Sequence, residues 1–187
     1  MNAEQLFKHI RNSRMFIDEV YFWTDTIKDW KHLLKQDKYK AMVIDTLKDL
    51  SDKGLVVVYG FVIMPNHFHV VWEMRNLNGK EMPHASFNKA TAHAIIHDLK
   101  KNHTAVLPYF EVDEKERAFR IWQRDPLAIL MDSKDKIEQK LEYIHLNPLH
   151  EKWNLANRPE DYYWSSAKFY ESGQDDFGFL THYLDKF

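Results

Sequence analysis

Two histidines separated by one residue, His67-Phe68-His69, are the sharpest chemical signal in this chain. On a strand, side chains two apart leave the same face, so both imidazoles can reach one divalent ion. The alternative is a pair of polar residues on a solvated sheet face. A second signal is Tyr143 with Asn147. Four residues apart, they share a face of a helix, together with Gln139 and Lys136 one and two turns back. Tyr143 is then a phenol among polar neighbours, although an amphipathic tyrosine at a helix edge fits the same pattern. Glu73 lies on the face of the two histidines, as an acceptor that fixes an imidazole tautomer or as half of a rim ion pair.

The elements that position these residues follow from periodicity. Residues 2–12 read as a short polar helix and Val20–Ile27 as a strand rich in Tyr, Phe and Trp. Asp37–Lys53 reads as a helix, with Tyr39, Met42, Val43, Leu47 and Leu50 on one face and Gly54 as its stop. Leu55–Ile63 is nearly all apolar, the pattern of a central strand covered on both faces. After Met64-Pro65-Asn66, the stretch to Glu73 alternates, with Phe68, Val70 and Trp72 opposite the histidines. Ser86–Lys101 reads as a helix with Ser86 as N-cap, after a polar loop over Asn76–Pro83. Ala105–Arg117 reads as loop and helical turn. Ala118–Leu130 contains a strand interrupted near Asp125-Pro126. A last helix runs from Asp132 or Ser133 to Leu146, buries Ile137, Leu141 and Ile144, and stops at Pro148. Strand, helix, strand, strand, helix, strand is the order of a ferredoxin-like split β-α-β antiparallel sheet, an α+β fold, here with a tyrosine-bearing helix added C-terminally.

Composition narrows the chemistry. The 187 residues fit a single domain, with a core over about 20–150 and a C-terminal extension over about 151–187. With no cysteine, there is no disulfide, thiolate nucleophile or cysteine-based metal site. No apolar run reaches the ~20 residues of a membrane helix, and the first residues lack a signal-sequence pattern, which points to the cytoplasm. The formal net charge is −2, but residues 171–187 carry −3 of it, so the first 170 carry +1. Any affinity for nucleic acid therefore falls to a local groove and to stacking. Walker, dinucleotide-binding and Gly-x-Ser-x-Gly patterns are missing.

At this point four runs carry a resemblance. Met64-Pro65-Asn66-His67-Phe68-His69-Val70-Val71-Trp72 resembles the HUH motif (His, bulky apolar, His) of single-tyrosine transposases. Tyr143-Ile144-His145-Leu146-Asn147-Pro148 resembles that family's tyrosine helix. Ile121-Trp122-Gln123 and Asp161-Tyr162-Tyr163-Trp164-Ser165-Ser166 resemble its flanking signatures. In order and spacing the set is most similar to the REP-associated branch of the insertion-sequence-200-like transposases. The resemblance implies Mg²⁺ or Mn²⁺ held by His67, His69 and Asn147, the last in place of the longer Gln of many relatives. It implies Tyr143 as nucleophile, a 5′-phosphotyrosine intermediate with a free 3′-OH, and rejoining of DNA without ATP. A free phenol titrates near ~10, so Lys136 or Lys140 would favour the phenolate. The implied partner is single-stranded or hairpin DNA, with the protein as monomer or homodimer and Tyr143 acting in cis or in trans.

Lys89 and Lys100 on the helix after the histidines, and Arg120 and Arg124 before the tyrosine helix, are candidate phosphate contacts, as are Lys136 and Lys140. For each of them a solvated charged face is the competing explanation. His93 and His97 have helical metal spacing but no intervening Glu, and read as a solvated helix edge. Trp122 and Trp164 suit either base stacking or core packing. Two other functions remain open on the residues alone: a non-catalytic single-strand or hairpin binder, and a metal-dependent hydrolase using the histidine pair and Glu73.

Overall fold

The computed structural model describes residues 15–187, so the helix expected over 2–12 lies outside the described residues. The main elements are β1 (Val20–Thr26), α1 (Asp37–Asp52), β2 (Val56–Ile63), β3 (His67–Met74), α2 (Pro83–Asn102), β4 (Glu111–Glu114), β5 (Arg117–Phe119), β6 (Leu127–Leu130), α3 (Lys134–Leu146) and α4 (Ala167–Ser172). Four strands form one antiparallel sheet in the order β2-β3-β1-β6. That is the ferredoxin-like split β-α-β order, with α3 added after the last strand.

Strand parity splits the core in two. Tyr21 and Trp23 of β1 and Phe68, Val70 and Trp72 of β3 pack with Val43 and Leu47 of α1 and with Phe87, Ile95 and Leu99 of α2. The alternate residues Val20, Phe22 and Val71 pack with Ile137, Leu141 and Ile144 of α3. In β2 a bulge between Val58 and Gly60 shifts the parity, so Val58 and Phe61 face α1 and α2 while Tyr59 and Val62 face α3. Gly60 sets how closely α3 approaches the sheet. A Cβ there would overlap Leu141 Cδ2 and lie 3.1 Å from Ser166 Oγ.

Several expectations are corrected. β2 is an edge strand of the sheet, not a central one. It is buried because the C-terminal segment covers its outer edge: the Ser166 N–H donates to Phe61 O at 3.0 Å and the Thr181 N–H to Val58 O at 3.0 Å. Burial therefore gave it the apolar pattern of an inner strand. α2 begins at Pro83, not Ser86, because proline suits the first helical turn. Ser86 is buried inside the helix and its hydroxyl donates to Glu81 at 2.7 Å. The stretch expected to be loop and helical turn also holds the β4–β5 hairpin, whose short polar strands carry no alternating signal. The last helix, by contrast, ends at Leu146 ahead of Pro148, as expected. Asn147 keeps helical angles (φ −54, ψ −43) and leads into a 3-10 turn over Asn147–Leu149, with Asn147 and Pro148 both buried.

Candidate active site

Pairing between β1 and β3 sets Thr24 opposite His69 and Thr26 opposite His67. These four side chains share the α3 face of the sheet. They line a cleft of about 680 Å³ with Phe22, Trp30, Asp125, Lys140, Tyr143, Asn147, Lys152 and Trp153. The two imidazole rings lie 4.7 Å apart between centroids, and the Tyr143 ring lies 5.5 Å from that of His69. The helical angles at Asn147 keep it one turn beyond Tyr143 and turn it into the same cleft.

Each imidazole has an oxygen on Nδ1. His69 Nδ1 lies 2.7 Å from Thr24 Oγ1, and His67 Nδ1 lies 2.7 Å from Asn66 Oδ1. The Asn66 amide nitrogen donates to Trp30 O at 3.2 Å, which turns its carbonyl oxygen to His67 and makes His67 Nδ1 the protonated nitrogen. His67 Nε2 is thereby left as a lone pair, while the Thr24 hydroxyl, able to donate or accept, orients the His69 ring, whose Nε2 is buried without a hydrogen-bond partner among the described residues. Burial pushes His67 down to about 4 and His69 well below the usual histidine range, so both stay neutral at neutral pH. Two neutral imidazoles pre-oriented through Nδ1 and an amide oxygen in reach of the same space form a donor set that suits a divalent cation. Among the described residues no group of three or more His, Asp or Glu gathers to hold a metal, so the amide, water and ligand oxygens would complete the shell.

Burial raises the Tyr143 phenol above its ordinary value, while the Asn147 amide pulls it down. The residue is 44 % exposed and lines the open cleft, where a substrate can meet it. The Lys140 ammonium lies 5.5 Å from the Tyr143 ring centroid and 4.9 Å from that of Phe22. Burial lowers the pKa of Lys140 as well.

Of the residues singled out from sequence, His67, His69, Tyr143, Asn147 and Lys140 come together here. The others do not. Glu73 contacts neither histidine. It is buried and accepts hydrogen bonds from Tyr59 Oη at 2.6 Å, Arg75 at 2.8 Å and Lys186 at 3.0 Å. Lys136 turns away from the cleft and pairs with Asp132 at 2.6 Å. Lys89, Arg120 and Arg124 line a separate cleft beside α2 on the other sheet face, where Glu114 takes both arginines and Glu81 lies 3.9 Å from Lys89. Lys100 lies over the Phe119 ring at 5.3 Å. His145 is structural, with Nε2 at 2.8 Å from Ser166 Oγ. The Trp122 indole is buried and donates to Thr91. Sequence reasoning missed Thr24, Trp30, Lys152 and Trp153. Only Thr24 left a signal, as the first of three polar residues, Thr24, Asp25 and Thr26, that follow the aromatic and apolar start of the strand.

The fold and the cleft together define a ferredoxin-like sheet that presents a histidine pair toward a tyrosine helix. No family model and no curated protein sequence matches the chain. Among solved structures, it is similar to a REP-associated tyrosine transposase bound to a REP hairpin, with a TM-score of 0.60, 15% identity and 90% of each chain covered. At that identity the likeness is one of fold. Among the described residues no helix is long and apolar enough to cross a membrane.

Proposed function

We propose that this protein is a transposase-like DNA strand transferase that cuts single-stranded DNA, at hairpin-associated sites, with Tyr143 as nucleophile. The observation that carries the reading is the convergence of His67, His69, Asn147 and Tyr143 in one cleft. The hairpin-bound neighbour of the same fold supports DNA as the partner.

His67 and His69 would hold Mg²⁺ or Mn²⁺ through their outer nitrogens, with Asn147 as the third side chain. When bound, the cation supplies Lewis-acid polarisation of a phosphate and a template for its orientation. Asn66 keeps the His67 imidazole in the ligating tautomer, and Thr24 orients the His69 ring. Lys140 favours the phenolate and offers positive charge to the scissile phosphate. Tyr143 Oη attacks phosphorus, the bond to the 3′ oxygen breaks, and that oxygen leaves with a proton as a 3′-OH. The phosphodiester energy is kept in the phosphotyrosine, so a later 3′-OH can displace the tyrosine.

The hydrolase alternative rested on Glu73 as the base beside the histidines, and Glu73 is committed elsewhere. The test is incubation with single-stranded DNA taken from the sequence flanking the gene, with Mn²⁺ or Mg²⁺, followed by a denaturing gel. A DNA-linked protein band that disappears in Tyr143→Phe is expected. Cleavage that persists in Tyr143→Phe would overturn the reading, and so would turnover without any adduct.

A further inference from the structure

The segment after β1 places two consecutive non-glycine residues in the left-handed region, Asp29 at φ 56 and Trp30 at φ 57. L-residues disfavour that region, and a bulky aromatic more than Asp. Neighbours hold the turn in place. Lys28 and Lys31 each lie 2.8 Å from Asp29 Oδ2. The Asp29 N–H donates to Gln123 Oε1 at 3.1 Å and the Trp30 N–H to Ile27 O at 2.9 Å. The Trp30 carbonyl accepts from Asn66, the residue that orients His67.

This strained turn does not bury its indole. Trp30 is 60% exposed, and still it lines the cleft with His67 and Tyr143. Core packing does not explain the placement, and among the described residues no aromatic ring packs on it. Trp153 differs: it is half-buried and engaged with His67 at 5.8 Å and with His32 at 5.8 Å.

We propose that Trp30 is a stacking platform for one unpaired nucleobase next to the phosphate held at His67 and His69. It deepens the proposed function and rests on it. A bare π-face accepts any base, and a base pair inside a duplex has both faces already stacked. Trp30 therefore selects unpaired over paired DNA at one position with little preference for sequence.

The experiment uses the full chain carrying Tyr143→Phe, which excludes covalent trapping, with Mn²⁺ and labelled mixed-sequence single strands read by fluorescence anisotropy. A single abasic site is moved along the strand. One position is expected to weaken binding about 10-fold, within the range of base–aromatic stacking. Adding Trp30→Ala should weaken the intact strand about 10-fold and remove the difference between intact and abasic strands. Trp30→Phe should retain part of both effects. The abasic series leaves Trp30 in place, so it reads the platform even if the alanine variant folds poorly. If the parent binds single strands but neither the abasic site nor Trp30→Ala matters, the platform is overturned and the proposed function stands. If the parent binds no single strand, both fall.

Discussion

Thr24 Oγ1 lies 2.7 Å from His69 Nδ1, across the β1–β3 ladder. On the other side of the ring, Nε2 is buried and unpartnered among the described residues. One contact thus fixes both the ring's orientation and which nitrogen faces the cleft.

Thr24→Val removes that oxygen at nearly constant shape. Affinity for Mn²⁺, measured by calorimetry, should fall about 10–100-fold, and Thr24→Ser should restore most of it. Unchanged affinity in the valine variant would show that Thr24 does not orient the ligand.

The Lys140 ammonium lies 5.5 Å from the Tyr143 ring centroid. Lys140→Met should lower the rate of adduct formation at neutral pH about 10-fold, the order expected when a neighbouring charge shifts a nucleophile's pKa by one unit. Lys140→Arg should recover part of the loss, and Lys136→Met should have little effect. Equal losses for Lys136→Met and Lys140→Met would contradict the geometry.

Stability should fall on acidification between about pH 6.5 and 4.5. His67 and His145 are pushed down to about 4 and His69 well below the usual histidine range, all by burial. In that window the unfolded chain takes up protons that the folded chain refuses, which lowers stability by about 1.4 kcal/mol per pH unit for each such group. Asp25 opposes them. It is buried beside Asn88 on the α2 face and pushed up to about 7, so the folded state holds its proton where the unfolded state does not. Urea midpoints should therefore drop more steeply with acid in Asp25→Asn and less steeply in His145→Gln. Parallel curves for all three proteins would contradict this account.

Gly60→Ala should destabilise the fold by about 1–3 kcal/mol, the usual range for overpacking, because the new Cβ meets Leu141 of α3. The same displacement moves the helix that carries Tyr143, so adduct formation should drop more than the unfolded fraction explains. Rates that track only the folded population would separate Gly60 from the site.

Much of the fold was legible because local periodicity and global burial agree. The alternation of β3 and the stripe of Ile137, Leu141 and Ile144 on α3 came directly from residue order. The edge position of β2 was not legible. Its apolar run reports burial, and a tail more than 100 residues away supplies that burial through Ser166 and Thr181. The β4–β5 hairpin was hidden because its strands are short and polar.

At the site, spacing alone put His67 with His69 on one strand face and Tyr143 with Asn147 on one helix face, since both periods are local backbone geometry. Tertiary structure decided everything that depends on what faces what. Register between β1 and β3 brings Thr24 to His69, close packing at Gly60 brings α3 over the sheet, and a strained turn brings Trp30 to the cleft. It also sent Glu73 to Tyr59, Arg75 and Lys186, although sequence parity placed it with the histidines. Parity fixes the side of a strand, but reach along it depends on partners from distant elements, and those exist only in the folded chain.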